Sequence, residues 1–106
     1  MNQNLVVTST CSNEAEALRI ARELVERSLA ACVQIVPGIR SVYRWQGKLE
    51  DTPEYLLLIK TNSAKFELLQ CTLELLHSYE LPEILAFPVS QGSERYLAWM
   101  EAALND

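Results

Sequence analysis

Glycine and proline are scarce in this 106-residue chain, at 3 and 4 residues. So few breakers predict regular elements joined by short connections. Histidine occurs once, as His77, so one imidazole must serve any catalytic triad or histidine metal site. The three cysteines, Cys11, Cys32 and Cys71, form no Cys-x-x-Cys pair, which argues against a closed zinc site within one chain. Their odd number and wide spacing fit reduced thiols in a cytosol better than a disulfide framework.

Other absences narrow the function. Lys and Arg form no run and the formal charge is −5, which argues against a surface that tracks nucleic-acid phosphates. No apolar stretch approaches bilayer length, and MNQNLVVTST lacks the basic start and apolar run of a signal peptide. No serine sits in a Gly-x-Ser-x-Gly elbow, and there is no phosphate loop or dinucleotide fingerprint. The expectation is a cytoplasmic, non-enzymatic protein that meets neither membrane nor nucleic acid.

What is present suits one globular domain spanning residues 1–106, with 49% hydrophobic and 22% charged residues. Residues 4–10, NLVVTST, read as a strand. Asn13 followed by Glu16 resembles a capping box opening a helix over 14–28. On that helix Ala17, Leu18, Ala21, Leu24 and Val25 share one face, and Glu16, Arg19, Glu23 and Glu26 are expected off it. Residues 31–46 read as a long strand kinked at Pro37-Gly38, with a hairpin turn at Gln46-Gly47-Lys48. Residues 54–61, EYLLLIKT, read as an interior strand. A second helix over 63–77 carries Phe66, Leu69, Leu73 and Leu76 on one stripe and Leu68, Cys71 and Leu75 on another, so it needs two partners. Residues 83–89 form a last strand, and Ser93 caps a final helix.

The order β-α-β-β-α-β plus a terminal helix is the split βαβ, ferredoxin-like pattern. The fold class is α+β, an antiparallel sheet with helices on one face. The open face, with Tyr43 and Trp45 as interface candidates, is expected to meet other subunits.

Chemistry centres on HSYELPEI, residues 77–84. His77 lies eleven residues after Phe66, about 20° away around the helix axis, so it borders the apolar stripe. Packing and metal or ligand binding both remain open for it. Glu83 and Lys60 stand among apolar neighbours, and a mutual ion pair would satisfy both. Solvation at strand ends is the competing reading. Cys32 reads first as a small hydrophobe.

The segments LAACVQIVPGIRSVYRWQGKLED, YLLLIKT, HSYELPEI and YLAWM resemble, in order and spacing, the CutA family of divalent-cation-tolerance proteins. The match runs over about residues 5–104. The resemblance implies a ferredoxin-like protomer, similar to PII signalling proteins, assembled as a homotrimer through its sheets. It also implies a role in the response to copper. No cofactor is required, and the expected ligand is copper or another divalent cation, weakly bound, with His77 as the carried-over ligand. The family motif usually reads His-Pro-Tyr-Glu, and Ser78 replaces the proline here. Some members add a first-strand cysteine and a second histidine, where this chain has Ser9 and Leu76. The alternative is a PII-like module whose inter-subunit cleft, lined by Cys32, Lys60, His77, Tyr79 and Glu83, takes a small anion or a partner segment.

Overall fold

The computed structural model describes residues 2–105. Its elements are β1 (Asn4–Cys11), α1 (Glu14–Glu26), β2 (Cys32–Trp45), β3 (Lys48–Asn62), α2 (Ser63–Leu76), β4 (Leu85–Pro88) and α3 (Glu94–Leu104). The four strands form one sheet in the order β2-β3-β1-β4, and every neighbouring pair is antiparallel. This is the expected α+β, ferredoxin-like arrangement.

Local chemistry accounts for the connections. At the β2–β3 turn Gln46 and Gly47 both have positive φ, 51° and 80°. Two left-handed residues make the tight hairpin whose twist matches the flanking strands. Upstream, the register slips between Val36 and Ile39, with Gly38 at φ 79°, so the Pro-Gly kink is a bulge. The β3 strand starts at Lys48, six residues before the expected boundary, because the hairpin keeps pairing beyond the end of β1. The hairpin arm therefore projects, and the molecule measures 44 × 25 × 22 Å. The β4 strand is shorter than expected, since its pairing with β1 covers only Leu85 to Pro88.

Alternate residues of β1 and β3 face the helices. Val7, Leu57 and Ile59 meet Ile20 and Leu24 of α1 and Leu69 and Leu73 of α2, all fully buried. Each such side chain contributes about 1.5–3 kcal/mol by leaving water, which makes this cluster the main source of stability. A smaller cluster joins Met100 and Leu104 of α3 to Ala31. The second stripe of α2 finds no partner among the described residues: Leu68 and Leu75 are 61% and 87% exposed. The other sheet face is also open, with Leu85 55% and Phe87 51% exposed. Among the described residues no helix is long and apolar enough to cross a membrane.

Candidate metal centre and the adjoining cleft

Three elements converge at one end of the core. The β1 strand delivers Cys11, which pairs with Tyr55 and points toward the helices as Val7 does four residues earlier. Asn13 caps α1 by accepting the Glu16 N–H at 2.8 Å. The return half of the expected capping box is missing. Glu16 instead lies one turn before Ile20 on the buried face, is 4% exposed, and accepts the Ser78 N–H through Oε2 at 2.8 Å. The helix ends at Leu76, and His77 is its C-cap, with its N–H donating to Leu73. Its extended backbone turns the chain back toward β1, and the imidazole is 8% exposed. Ligand atoms of Cys11, Glu16 and His77 all lie within 4.8 Å of one another.

The hydrogen bonds fix the state of the imidazole. Its Nε2 is 2.7 Å from the Thr10 carbonyl oxygen, which can only accept, so Nε2 carries the proton. Its Nδ1 accepts the Tyr79 N–H at 3.0 Å. Both nitrogens are thus engaged by backbone, and the neutral Nε2–H tautomer is the one these partners select. Cys11 Sγ stands 3.9 Å from Nε2. Burial, then the charges of Glu16 and Glu54, push the Cys11 thiol up to about 12. Burial alone would raise the Glu16 carboxyl, but hydrogen bonding from Ser78, then the neighbouring His77 and Arg19 side chains, outweigh it and hold the group below its usual range. Glu16 Oε1 is buried without a partner. The group therefore combines a protonated thiol, a carboxylate with one unused oxygen, and an imidazole whose backbone partners select the Nε2–H tautomer.

Beside it, the hairpin arm and the segment after His77 enclose a cleft of about 680 Å³. Its walls include Tyr43, Trp45, Glu54, Tyr79, Glu80 and Glu83. The Tyr79 hydroxyl donates to Glu54 Oε2 at 2.5 Å, and its ring lies 4.7 Å from His77. Burial and the Glu54 carboxylate raise the Tyr79 phenol well above its ordinary value.

The inter-subunit cleft expected of Cys32, Lys60, His77, Tyr79 and Glu83 involves a second chain; within this chain Tyr79 and Glu83 line the cleft described here, and the His77 ring lies against Tyr79. Cys32 and Lys60 are not among its walls within one chain. They are register partners farther along the sheet, and Lys60 Nζ donates to the Tyr96 hydroxyl at 3.1 Å. The anticipated Lys60–Glu83 pair does not form, because Glu83 accepts the Thr8 hydroxyl at 2.7 Å. Lys60 pairs opposite Val6 on one side of β1, while Glu83 precedes β4 on the other side. That is about 10 Å across two strand spacings, before any offset along them. A wall of carboxylates with no Lys or Arg also disfavours the small anion considered above.

The sequence and the fold are shared with known proteins. Residues 5–103 match the family model for the CutA1 divalent ion tolerance protein. The chain belongs to the CutA1 family. The divalent-cation tolerance protein CutA of Thermus thermophilus is 47% identical over 95 residues, covering 90% of this chain and 92% of that protein. A CutA homolog of Xenopus laevis is 48% identical over 91 residues, covering 86% of this chain but 60% of the relative. The chain thus spans nearly all of the bacterial relative and under two thirds of the animal one. The crystal structure of CutA from Xylella fastidiosa superposes with a TM-score of 0.93 at 44% identity, covering 96% of this chain and 98% of that one. In this chain the metal group and the cleft just described are built on the CutA1 family fold.

Sequence reasoning singled out His77 but did not join it to Cys11 and Glu16, nor Tyr79 to Glu54. A signal existed for Glu16, which precedes Ile20 by one turn on a stripe of small and apolar residues. Its capping-box reading masked that position. Nothing local marks Glu54, whose partner Tyr79 is 25 residues away.

Proposed function

We propose that this protein serves divalent-cation tolerance as a cytoplasmic homotrimer that binds a divalent cation, copper among them, weakly through Cys11, Glu16 and His77. The observation that carries this reading is the meeting of a thiol, a carboxylate and an imidazole within 4.8 Å. Sulfur, oxygen and nitrogen donors together suit borderline cations such as Cu(II) and Zn(II). The buried, unpartnered Glu16 Oε1 offers a negative ligand atom already desolvated. Weakness follows from the same geometry. A cation must displace the thiol proton and take a ring nitrogen from either Thr10 or Tyr79.

Assembly is supported by exposed apolar side chains at two places on the sheet, Tyr43 and Trp45 on the hairpin arm, 42% and 39% exposed, and Leu85 and Phe87 on β4. The three free thiols support a reducing compartment. Family membership supports a binding role without catalysis.

Isothermal titration with Cu(II) tests the site. Cys32 and the exposed Cys71 are first replaced by Ser, since either accessible thiol would bind copper on its own account. The expected result is one ion per chain with Kd on the order of micromolar or weaker, largely lost in Glu16→Gln and in His77→Gln. Equal binding by parent and variants would remove this group as the site.

A further inference from the structure

Ser78 contributes no atom to the donor set of Cys11, Glu16 and His77, yet its main chain holds one of the three. We propose that Ser78 is a positioning residue: its main-chain N–H fixes Glu16 as a ligand, and so the site selects divalent cations over Cu(I). The inference rests on the binding reading above and adds the charge of the ion that is selected. Glu16 Oε2 accepts the Ser78 N–H at 2.8 Å, and the Arg19 guanidinium stands 3.9 Å from the same oxygen. Oε1 is buried without a partner. With Oε2 held, Oε1 is the oxygen left to an ion, and its carboxylate is fixed before any ion arrives.

Charge decides the selection. Cys11, Glu16 and His77 are all buried, and a buried site tolerates little net charge. A thiolate and a carboxylate together carry two negative charges, which neutralise a divalent cation. Without the carboxylate, one thiolate and a neutral imidazole carry a single negative charge, which matches Cu(I), and a soft thiolate suits that ion. Releasing Glu16 therefore weakens a divalent ion far more than Cu(I).

Proline at position 78 would delete the N–H and little else. His77 has φ −79° and ψ 141°, the extended backbone that a following proline requires. Ser78 is not among the residues with positive φ, so the ring meets no left-handed backbone. The Tyr79 N–H bond to His77 Nδ1 and the His77 N–H bond to Leu73 involve neighbouring amides and remain.

The test compares Ser78→Pro with Ser78→Ala, which loses the hydroxyl but keeps the main-chain donor. Both are made in the protein with Cys32 and Cys71 replaced by Ser, in its native assembly. Affinities for Zn(II), and for Cu(I) under anaerobic reducing conditions, are measured by competition with chromophoric chelators. Ser78→Pro should weaken Zn(II) about tenfold or more, the effect of one charge-assisted hydrogen bond, and change Cu(I) by less than about threefold. Ser78→Ala should stay within about threefold of the parent for both ions. A loss of folding stability alone would weaken both ions together. Unchanged Zn(II) binding in Ser78→Pro, equal losses for the two ions, or equal losses in Ser78→Ala and Ser78→Pro overturns this inference and leaves the binding reading standing. A parent that binds no Zn(II) overturns both. Should Ser78→Pro fail to fold, amide exchange at Ser78 in the parent tests the bond directly. Exchange slow for an exposed residue, and fast in Glu16→Ala, is expected, and fast exchange in the parent overturns the proposal.

Discussion

Replacing His77 by Ala should destabilise the protein through three separable losses. The Thr10 carbonyl, on a residue 8% exposed, loses the Nε2–H donor that it holds at 2.7 Å. A buried acceptor left unpaired costs about 1–2 kcal/mol. The Tyr79 N–H loses its acceptor at 3.0 Å, but Tyr79 is half-buried and water can replace part of that bond. We assign about 0.5–1 kcal/mol to it. Removing most of a buried ring leaves a partly collapsed space, for about 1 kcal/mol more. The total is about 3 kcal/mol. His77→Gln should recover part of it, because the side-chain amide can still donate toward Thr10. Urea unfolding at one fixed protomer concentration measures the difference, with m unchanged if the fold is preserved. A loss under about 0.5 kcal/mol, or equal losses for Ala and Gln, would refute the view that this imidazole ties β1 to the end of α2.

Replacing Tyr43 and Trp45 together by Ser removes two rings from the open face, worth several kcal/mol per protomer at about 25 cal/mol per Å². Light scattering should show dissociation, unfolding or aggregation, and an unchanged trimer of unchanged Tm would exclude this strand from assembly. Glu83→Gln should change stability by less than about 0.5 kcal/mol, because its partner is the Thr8 hydroxyl and no ammonium is stranded. A loss of several kcal/mol in denaturant would mean that the assembled protein gives Glu83 a cationic partner after all. The folded Glu16 carboxyl lies below its ordinary 4.5, so its stabilising contribution is present above that pH and is lost as pH falls through the lowered folded value. The Cys11 thiol runs the other way, from 9.0 up to about 12, so its contribution is full below pH 9 and is lost as pH rises toward 12. Tm against pH should therefore form a plateau with an acid and an alkaline limb. Cys11→Ala should make the alkaline limb shallower, and an unaltered limb would contradict the assignment.

The readable parts of this chain were those whose causes are local. Gln46-Gly47 between alternating strands dictates a two-residue hairpin, and Asn13 marks the start of α1. The Val36–Ile39 bulge follows from Pro-Gly in the same way. The site was less readable because its neighbours are brought together by register. Thr10 and His77 are 67 residues apart, and their contact depends on where β1 ends relative to α2. Glu16 was misplaced because two local rules competed for one carboxylate, and a tertiary partner, the Ser78 N–H, decided between them. Lys60 and Glu83 were plausible partners by charge alone. The strand order put β1 between them.

Because His77 is the sole histidine, nitrogen-15 NMR of the imidazole reports the metal group without overlap. Before metal, the hydrogen bonds to Thr10 and from Tyr79 predict the Nε2–H tautomer, with Nδ1 unprotonated and accepting the Tyr79 N–H. Zn(II), chosen because it is diamagnetic, should shift one ring nitrogen to a metal-bound position in saturable fashion, and Glu16→Gln should weaken that response. Ring nitrogens that stay unmoved at saturating Zn(II) would contradict metal binding through Cys11, Glu16 and His77 and leave His77 a packing residue alone.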